Sequence, residues 1–269
     1  MKTDLSDEQV SRYREDGFLK IETFLDAGEL NNWRALIDNA VNTRDERIPG
    51  ANDDGRLGDD YYDNVFKQRV NLWQTSDAVR GLVLNENIGR MAAALEDVPA
   101  VRLWHDQALY KGPWANPTSW HIDDPYWSFY SRNATTIWIA LDDTTMQNGA
   151  LYFLPGAYKQ ATYDNVLIGK NVGALFDVYK DWTHCQPTCV EMKAGDASFH
   201  NGLTPHAAGP NMTPMSRRAF SIIFMPDGST FNGQRNVLPE KLFECLSIGD
   251  ALEDDELNPV VFQAKQPRR

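Results

Sequence analysis

The sequence is poor in cysteine and in positive charge, and it has no long hydrophobic run. Three cysteines is an odd number, and Cys245 is far from Cys185 and Cys189. That argues against a disulfide framework and for a reduced, cytoplasmic setting. Lys and Arg number 26 against 38 Asp and Glu, a formal charge of −12. Nucleic-acid binding wants a basic face, and so does attachment to an anionic membrane, so neither partner is expected. No stretch of about 18 apolar residues is present, which excludes a transmembrane helix. Met1 to Asp7 lacks the apolar core of a secretion signal.

What is present is the composition of an ordinary globular protein, with 42% hydrophobic and 24% charged residues over 269 positions. That length fits one elaborated domain. Ser6 with Gln9 reads as a capping box opening a helix to about Glu15, with Gly17 as its stop. Phe18 to Ile21 reads as a strand. Leu30, Trp33, Leu36, Ile37 and Val41 mark one face of a second helix from about Asp26 to Asn42. Residues 45–60 are a polar, Gly/Asp-rich loop. Ser76 caps a helical region reaching about Glu96, with a break near Asn85 to Asn87.

From about Ala100 the pattern changes to short strands: Val101 to Lys111, Thr135 to Leu141, Ala150 to Leu154 after a hairpin-type Asn148-Gly149 turn, Glu191 to His200, Thr204 to Ala208 and Arg218 to Met225. Such spacing suggests a sandwich or barrel. Residues 157–187 read as a lid or insertion. After Asp227 the chain is irregular, with a short helix at Pro239 to Leu246. The organisation expected is a single domain: mainly helical support over 1–97, a β core over 98–226, and a C-terminal tail over 227–269.

The chemistry centres on Trp120-His121-Ile122-Asp123-Asp124-Pro125-Tyr126-Trp127. Residues i and i+2 of a strand share a face, so His121 and Asp123 are expected to project together while Ile122 points into the opposite layer. Asp124 does not share that face and reads as a loop cap. A downstream histidine, His200 or His206, completes a set of two imidazoles and one carboxylate, which suits Fe(II), Zn, Mn or Ni. Arg217 follows His206 by eleven residues, enough for a turn and a return strand. Its fork suits a carboxylate, and adjacent Arg218 reads as a surface salt bridge. His105 reads as a core or surface histidine. His184, Cys185 and Cys189 lack a second metal-binding pair and read as incidental.

Several stretches together resemble the phytanoyl-CoA dioxygenase family of Fe(II)/2-oxoglutarate oxygenases. They are Asp106 to Lys111, Trp120 to Asp123, Trp138 to Asp143, Asn148 to Leu151, Leu154 to Ala157, Gly195-Asp196, and His206 to Asn211 with Arg217-Arg218. Tyr158 departs from the family's usual His or Ser. The resemblance implies a mainly β fold with flanking helices and a double-stranded β-helix, or jelly-roll, core. It implies His121, Asp123 and His206 as iron ligands and Arg217 as the partner of the far carboxylate of 2-oxoglutarate. Gln107 and Trp138 match positions facing the cosubstrate. The activity implied uses Fe(II), 2-oxoglutarate and O2 to hydroxylate a small molecule, releasing succinate and CO2. The carboxylate at Asp123 argues against halogenation. With no general basic patch, a small metabolite is expected in preference to a coenzyme A thioester. The aromatic residues flanking the His-x-Asp are expected mostly to pack. A non-catalytic jelly-roll binder with a vestigial metal site is the alternative.

Overall fold

The computed structural model describes residues 1–43 and 60–265. The expected 45–60 loop therefore lies almost entirely outside the described residues.

The first helix, α1 (Asp7–Asp16), has the capping box formed by Ser6 and Gln9 and ends at Gly17. Strand β1 (Phe18–Ile21) follows, then α2 (Ala27–Thr43), which buries Leu30, Trp33, Ile37, Ala40 and Val41. Leu36 is only half-buried. After α3 (Asp60–Asp63) comes β2 (Lys67–Val70), a strand that the charged sequence does not announce. Helix α4 (Leu72–Thr75) starts where both Asp106 carboxylate oxygens accept N–H groups, one from Leu72 and one from Trp73. Ser76 caps α5 (Asp77–Val83), and Asn85 caps α6 (Glu86–Glu96), so the helical region breaks close to where expected.

The remaining strands are β3 (Ala100–Lys111), β4 (Thr118–His121), β5 (Thr135–Ala140), β6 (Leu151–Phe153), β7 (Thr188–Val190), β8 (Ala197–Asn201), β9 (His206–Ala208), β10 (Arg217–Pro226) and β11 (Val260–Gln263). Short helices α7 (Leu175–Val178) and α8 (Glu240–Cys245) sit in the connections. The larger sheet runs β1-β8-β5-β10-β3-β11, with β2 also paired to β3; the smaller runs β4-β9-β6-β7. All described pairings between strands are antiparallel. Three strands of the larger sheet, β1, β2 and β11, come from outside 98–226.

Alternation gives the larger sheet two faces. One packs on the helices: Ala108, Ile137, Ile139, Phe199, Phe220 and Ile222 join Trp33, Ile37, Leu72 and Ile88 in one apolar core. The other faces the smaller sheet, where Trp138, Ala140 and Ala219 pack with Leu151, Phe153, Val190 and Ala208. This is the jelly-roll arrangement. The Asn148-Gly149 turn is not a hairpin, because β5 and β6 lie in different sheets; it is the crossover between layers. The register also corrects the reading of β3. His105 pairs with Ile223 but Leu103 pairs with Phe224, so Trp104 is an extra, bulged residue. It joins Ile223 and Met225 in a separate core with Trp127 and Phe129.

Candidate active site

Strand β4 ends at His121, so the expected strand geometry for His121 and Asp123 is corrected. Asp123 has right-handed helical torsions (φ −79°, ψ −44°) at the start of a 3-10 turn over Asp124–Tyr126. What positions its backbone is Gly202, whose carbonyl accepts the N–H groups of both Asp123 and Asp124 at 2.9 Å. Ile122 is buried against Leu154, Leu175, Trp182 and Leu203.

His121 stands opposite His206 in the β4–β9 register. Each ring gives its Nδ1 hydrogen to a backbone carbonyl two residues earlier, His121 to Ser119 at 2.8 Å and His206 to Thr204 at 3.0 Å. A carbonyl can only accept, so in the neutral tautomer of each ring the hydrogen sits on Nδ1 and Nε2 is the nitrogen with a lone pair. Both lone pairs face Asp123: its Oδ1 is 3.5 Å from His121 Nε2 and 3.7 Å from His206 Nε2. One donor atom from each of the three residues fits within a span of 4.8 Å, the only such cluster among the described residues. Burial, then the neighbouring His121, lowers the His206 pKa to about 3, which keeps its ring neutral. Burial pushes Asp123 upward, but His206, His121 and His200 outweigh it and hold its carboxyl well below the usual range.

The second oxygen of Asp123 is also engaged. His200 Nε2 lies 3.4 Å from Oδ2, and Thr136 Oγ1 donates to it at 3.5 Å. Thr136 and His200 are direct partners across β5 and β8. His200, read from sequence as a rival to His206, therefore sits behind the carboxylate rather than in place of His206. Asp124 is fully buried and accepts the Ser131 N–H at 3.1 Å, a loop cap as expected. Burial pushes its carboxyl up to about 8.

The cavity in front of these groups is lined by both sheets, and Gln107, Trp138 and Arg217 all reach it. Arg217 is 3% exposed, yet only one of its nitrogens has a partner: Nη2 donates to the Gly149 carbonyl at 3.2 Å. Nε and Nη1 are buried with none. The guanidinium lies over Trp138, 5.1 Å from the ring centroid. Burial lowers its pKa to about 10, so it remains charged at neutral pH. Gly149 is required at the crossover: its φ is +99° and a Cβ would meet the Lys111 chain at 2.7 Å. Ser221 pairs with Gln107 on one side and Trp138 on the other, which sets these three residues in one row across the sheet. Gln107 accepts from the Gln68 amide at 2.6 Å.

Sequence reasoning missed Lys111. It is fully buried beside Arg217 and donates to the carbonyls of Val65 and Asn116. Burial, helped by Arg217, lowers its pKa to about 7. A lysine at the end of a long strand gave no signal of this. Arg218 pairs with Asp142 and Asp38, as expected of a salt-bridging residue. Of the flanking aromatics, Tyr126 and Trp127 line the cavity. Trp120 packs on Phe176, Phe129 packs on Trp104, Tyr130 meets Tyr163, and Trp114 is exposed. His105 is a core histidine, but it also lines the cavity. Segment 157–187 lies against the His-x-Asp stretch: Asn165 donates to the Ile122 carbonyl, Tyr126 to the Val166 carbonyl, and Trp120 N–H to the Val172 carbonyl. Cys185, Cys189 and Cys245 are unpaired and away from the cavity.

Residues 13–219 match the family model for phytanoyl-CoA dioxygenase. The chain belongs to the phytanoyl-CoA dioxygenase family. A methylphosphonate hydroxylase of Gimesia maris is 30% identical over 227 residues, covering 83% of this chain and 82% of the relative. A probable alpha-ketoglutarate-dependent hypophosphite dioxygenase of Stutzerimonas stutzeri is 28% identical, covering 78% and 75%. Among solved structures, the non-heme alpha-ketoglutarate-dependent carbocyclase SnoK from nogalamycin biosynthesis superposes with a TM-score of 0.79, at 28% identity and 96% coverage of both chains. This family member is a non-haem iron, 2-oxoglutarate-dependent dioxygenase. Its donor set suits the metal: two imidazoles and one carboxylate on one side, with the remaining positions open to the cavity.

Proposed function

We propose that His121 Nε2, Asp123 Oδ1 and His206 Nε2 bind Fe(II), that Arg217 receives the far carboxylate of 2-oxoglutarate, and that the enzyme hydroxylates a small-molecule metabolite. Gln107 and Trp138 flank the cosubstrate between those two points. The observation that carries this reading is Arg217, a buried guanidinium with two unpartnered donors in the same cavity as the three metal-binding candidates. Buried donors without acceptors are costly, and an Arg fork fits a carboxylate bidentately.

Iron with bound 2-oxoglutarate and O2 supplies an oxidant for C–H bonds, with succinate and CO2 as co-products. The chain's own residues do the rest. The Ser119 and Thr204 carbonyls fix the two imidazoles in the tautomer that offers Nε2. His200 and Thr136 hold the far oxygen of Asp123. Arg217 and Trp138 orient the cosubstrate, and Trp127 and Ile223 exclude water at the other end. Asp123 occupies the place a halide would need, which supports hydroxylation over halogenation. We read the jelly roll of 98–226 as one domain with its flanks, since β1, β2 and β11 extend its larger sheet. The unpaired cysteines support a reducing, cytoplasmic setting.

Anaerobic addition of Fe(II) and then 2-oxoglutarate tests the site. The weak visible charge-transfer band of the chelate is expected, followed by succinate on admitting O2. No band at millimolar 2-oxoglutarate would favour the alternative, a non-catalytic jelly-roll binder.

A further inference from the structure

The end of the cavity away from Arg217 has its own recognition groups. Ile223 lies six positions after Arg217 along β10, a path of about 20 Å on an extended strand. Ile223 and its register partner His105 both line the cavity there, with Trp127 and Asn236. Neither His105 nor Asn236 has a role in the metal or cosubstrate site.

His105 gives its Nδ1 hydrogen to the Asp106 carbonyl at 3.2 Å. Burial lowers the ring's pKa to about 4, so it is neutral near pH 7 and Nε2 is the bare nitrogen, an acceptor. Asn236 comes from the C-terminal tail and has φ +43°, a left-handed backbone uncommon for a residue with a side chain. Its amide orientation is set by Trp104, whose indole N–H donates to Oδ1 at 3.1 Å. Trp104 is the bulged residue of β3 and precedes His105, so one irregularity in the strand positions both groups. With Oδ1 engaged, Nδ2 is the other polar atom of the Asn236 amide, a donor. Strained residues of this kind cluster at functional sites. The remaining walls, Trp127 and Ile223, are apolar.

We infer that this end binds a hydroxyl of the substrate, with His105 Nε2 accepting the O–H hydrogen and Asn236 Nδ2 donating to the oxygen. An alcohol can give and receive at one atom, which suits a cavity lined by both an acceptor and a donor. An oxyanion cannot donate, so a carboxylate, phosphonate or hypophosphite would set its lone pairs against that of His105. The substrate class is a neutral alcohol with an apolar body. This rests on the proposed dioxygenase site and extends it to the partner that is oxidised.

The test uses the iron-loaded enzyme and two matched panels. One holds neutral aliphatic and alicyclic mono- and polyhydric alcohols; the other holds phosphonates and carboxylates of the same carbon skeletons, with methylphosphonate and hypophosphite included. Succinate formation stimulated by members of the first panel and not the second is expected. Two variants locate the effect. Asn236→Asp keeps the acceptor for Trp104 and tolerates the left-handed backbone, but replaces the donor by an anion. His105→Phe removes the acceptor. Each is expected to raise KM for the best alcohol about 5- to 100-fold, with a smaller change in kcat, since a buried partner is left unpaired. Thermal melting checks that each variant folds. Stimulation by the anionic panel alone, silence of both panels, or unchanged KM in both folded variants overturns the inference. If the anaerobic 2-oxoglutarate band is present in the wild type under those results, only the hydroxyl site fails; if the band is absent, the proposed dioxygenase site fails with it.

Discussion

Replacing Arg217 separates a ligand-binding cation from a structural one. Its Nε and Nη1 are buried without partners, and its charge faces no carboxylate at ion-pair distance among the described residues. A structural arginine would have those donors satisfied. Two charge-assisted hydrogen bonds to a bound carboxylate contribute about 1.5–3 kcal/mol each, so about 3–6 kcal/mol is lost in Arg217→Met. That corresponds to 2-oxoglutarate binding weakened by roughly 10²- to 10⁴-fold. Arg217→Lys keeps a charge but not the fork, and a loss of about 10- to 100-fold is expected. The same substitution removes a buried, uncompensated cation from the free protein, so melting of Arg217→Met without ligand is expected to be unchanged or higher. The assay is anaerobic titration of the Fe(II) protein with 2-oxoglutarate, read at the charge-transfer band, alongside a melting curve. A dissociation constant within about threefold of wild type, or a collapse of the ligand-free protein, would refute the reasoning.

Other residues give independent checks. His200→Ala is expected to weaken Fe(II) binding about 10- to 100-fold, read by competition with a chelator, and His200→Gln less so because an amide N–H can still donate to Asp123; equal affinity in all three proteins would remove His200 from the site. A Cβ at position 202 would sit 2.5 Å from the Trp127 ring. Gly202→Ala is therefore expected to lower stability by about 1–3 kcal/mol in denaturant unfolding, and an unchanged midpoint would contradict the packing. Glu96 is buried, and burial raises its carboxyl to about 8 although Tyr13 and Asn201 donate to it. A raised folded pKa means that the folded state holds the proton longer, so this group's stability contribution is full at acid pH and is lost as pH rises to about 8. Melting of Glu96→Gln between pH 5 and 9 is expected to show a flatter profile than wild type; parallel profiles would mean Glu96 is ionised throughout.

Local order was legible where a residue's own chemistry dictates its conformation. The capping box at Ser6 and the cap at Ser76 were readable because a side-chain oxygen satisfies N–H groups only a few residues away, and the helix break near Asn85 was readable too. The α2 face was readable from its period, and β3, β5 and β10 as short β-rich runs between turns. β2, with three charged or amide residues in four, and β11, in a polar tail, were not. They are strands because the edge of β3 is there to pair with. The Asn148-Gly149 pair was misread because the same turn chemistry serves a hairpin or a crossover, and only the sheet assignment separates them.

The sequence by itself determined the candidates: residue type and spacing singled out His121, Asp123 and Arg217 and left His200 and His206 as rivals, and the family resemblance added His206, Gln107 and Trp138; all of these line one cavity. The tertiary structure alone decided how they are held. Asp123 meets His121 through a turn pinned by the Gly202 carbonyl, not along a strand. His200 lies behind the carboxylate, because β8 runs beside β5 and brings it next to Thr136. Trp104 and Asn236, 132 positions apart, meet through one bulge and one left-handed residue. Hydrogen bonds and close approaches between distant segments depend on the distances that folding creates, and no local pattern encodes them.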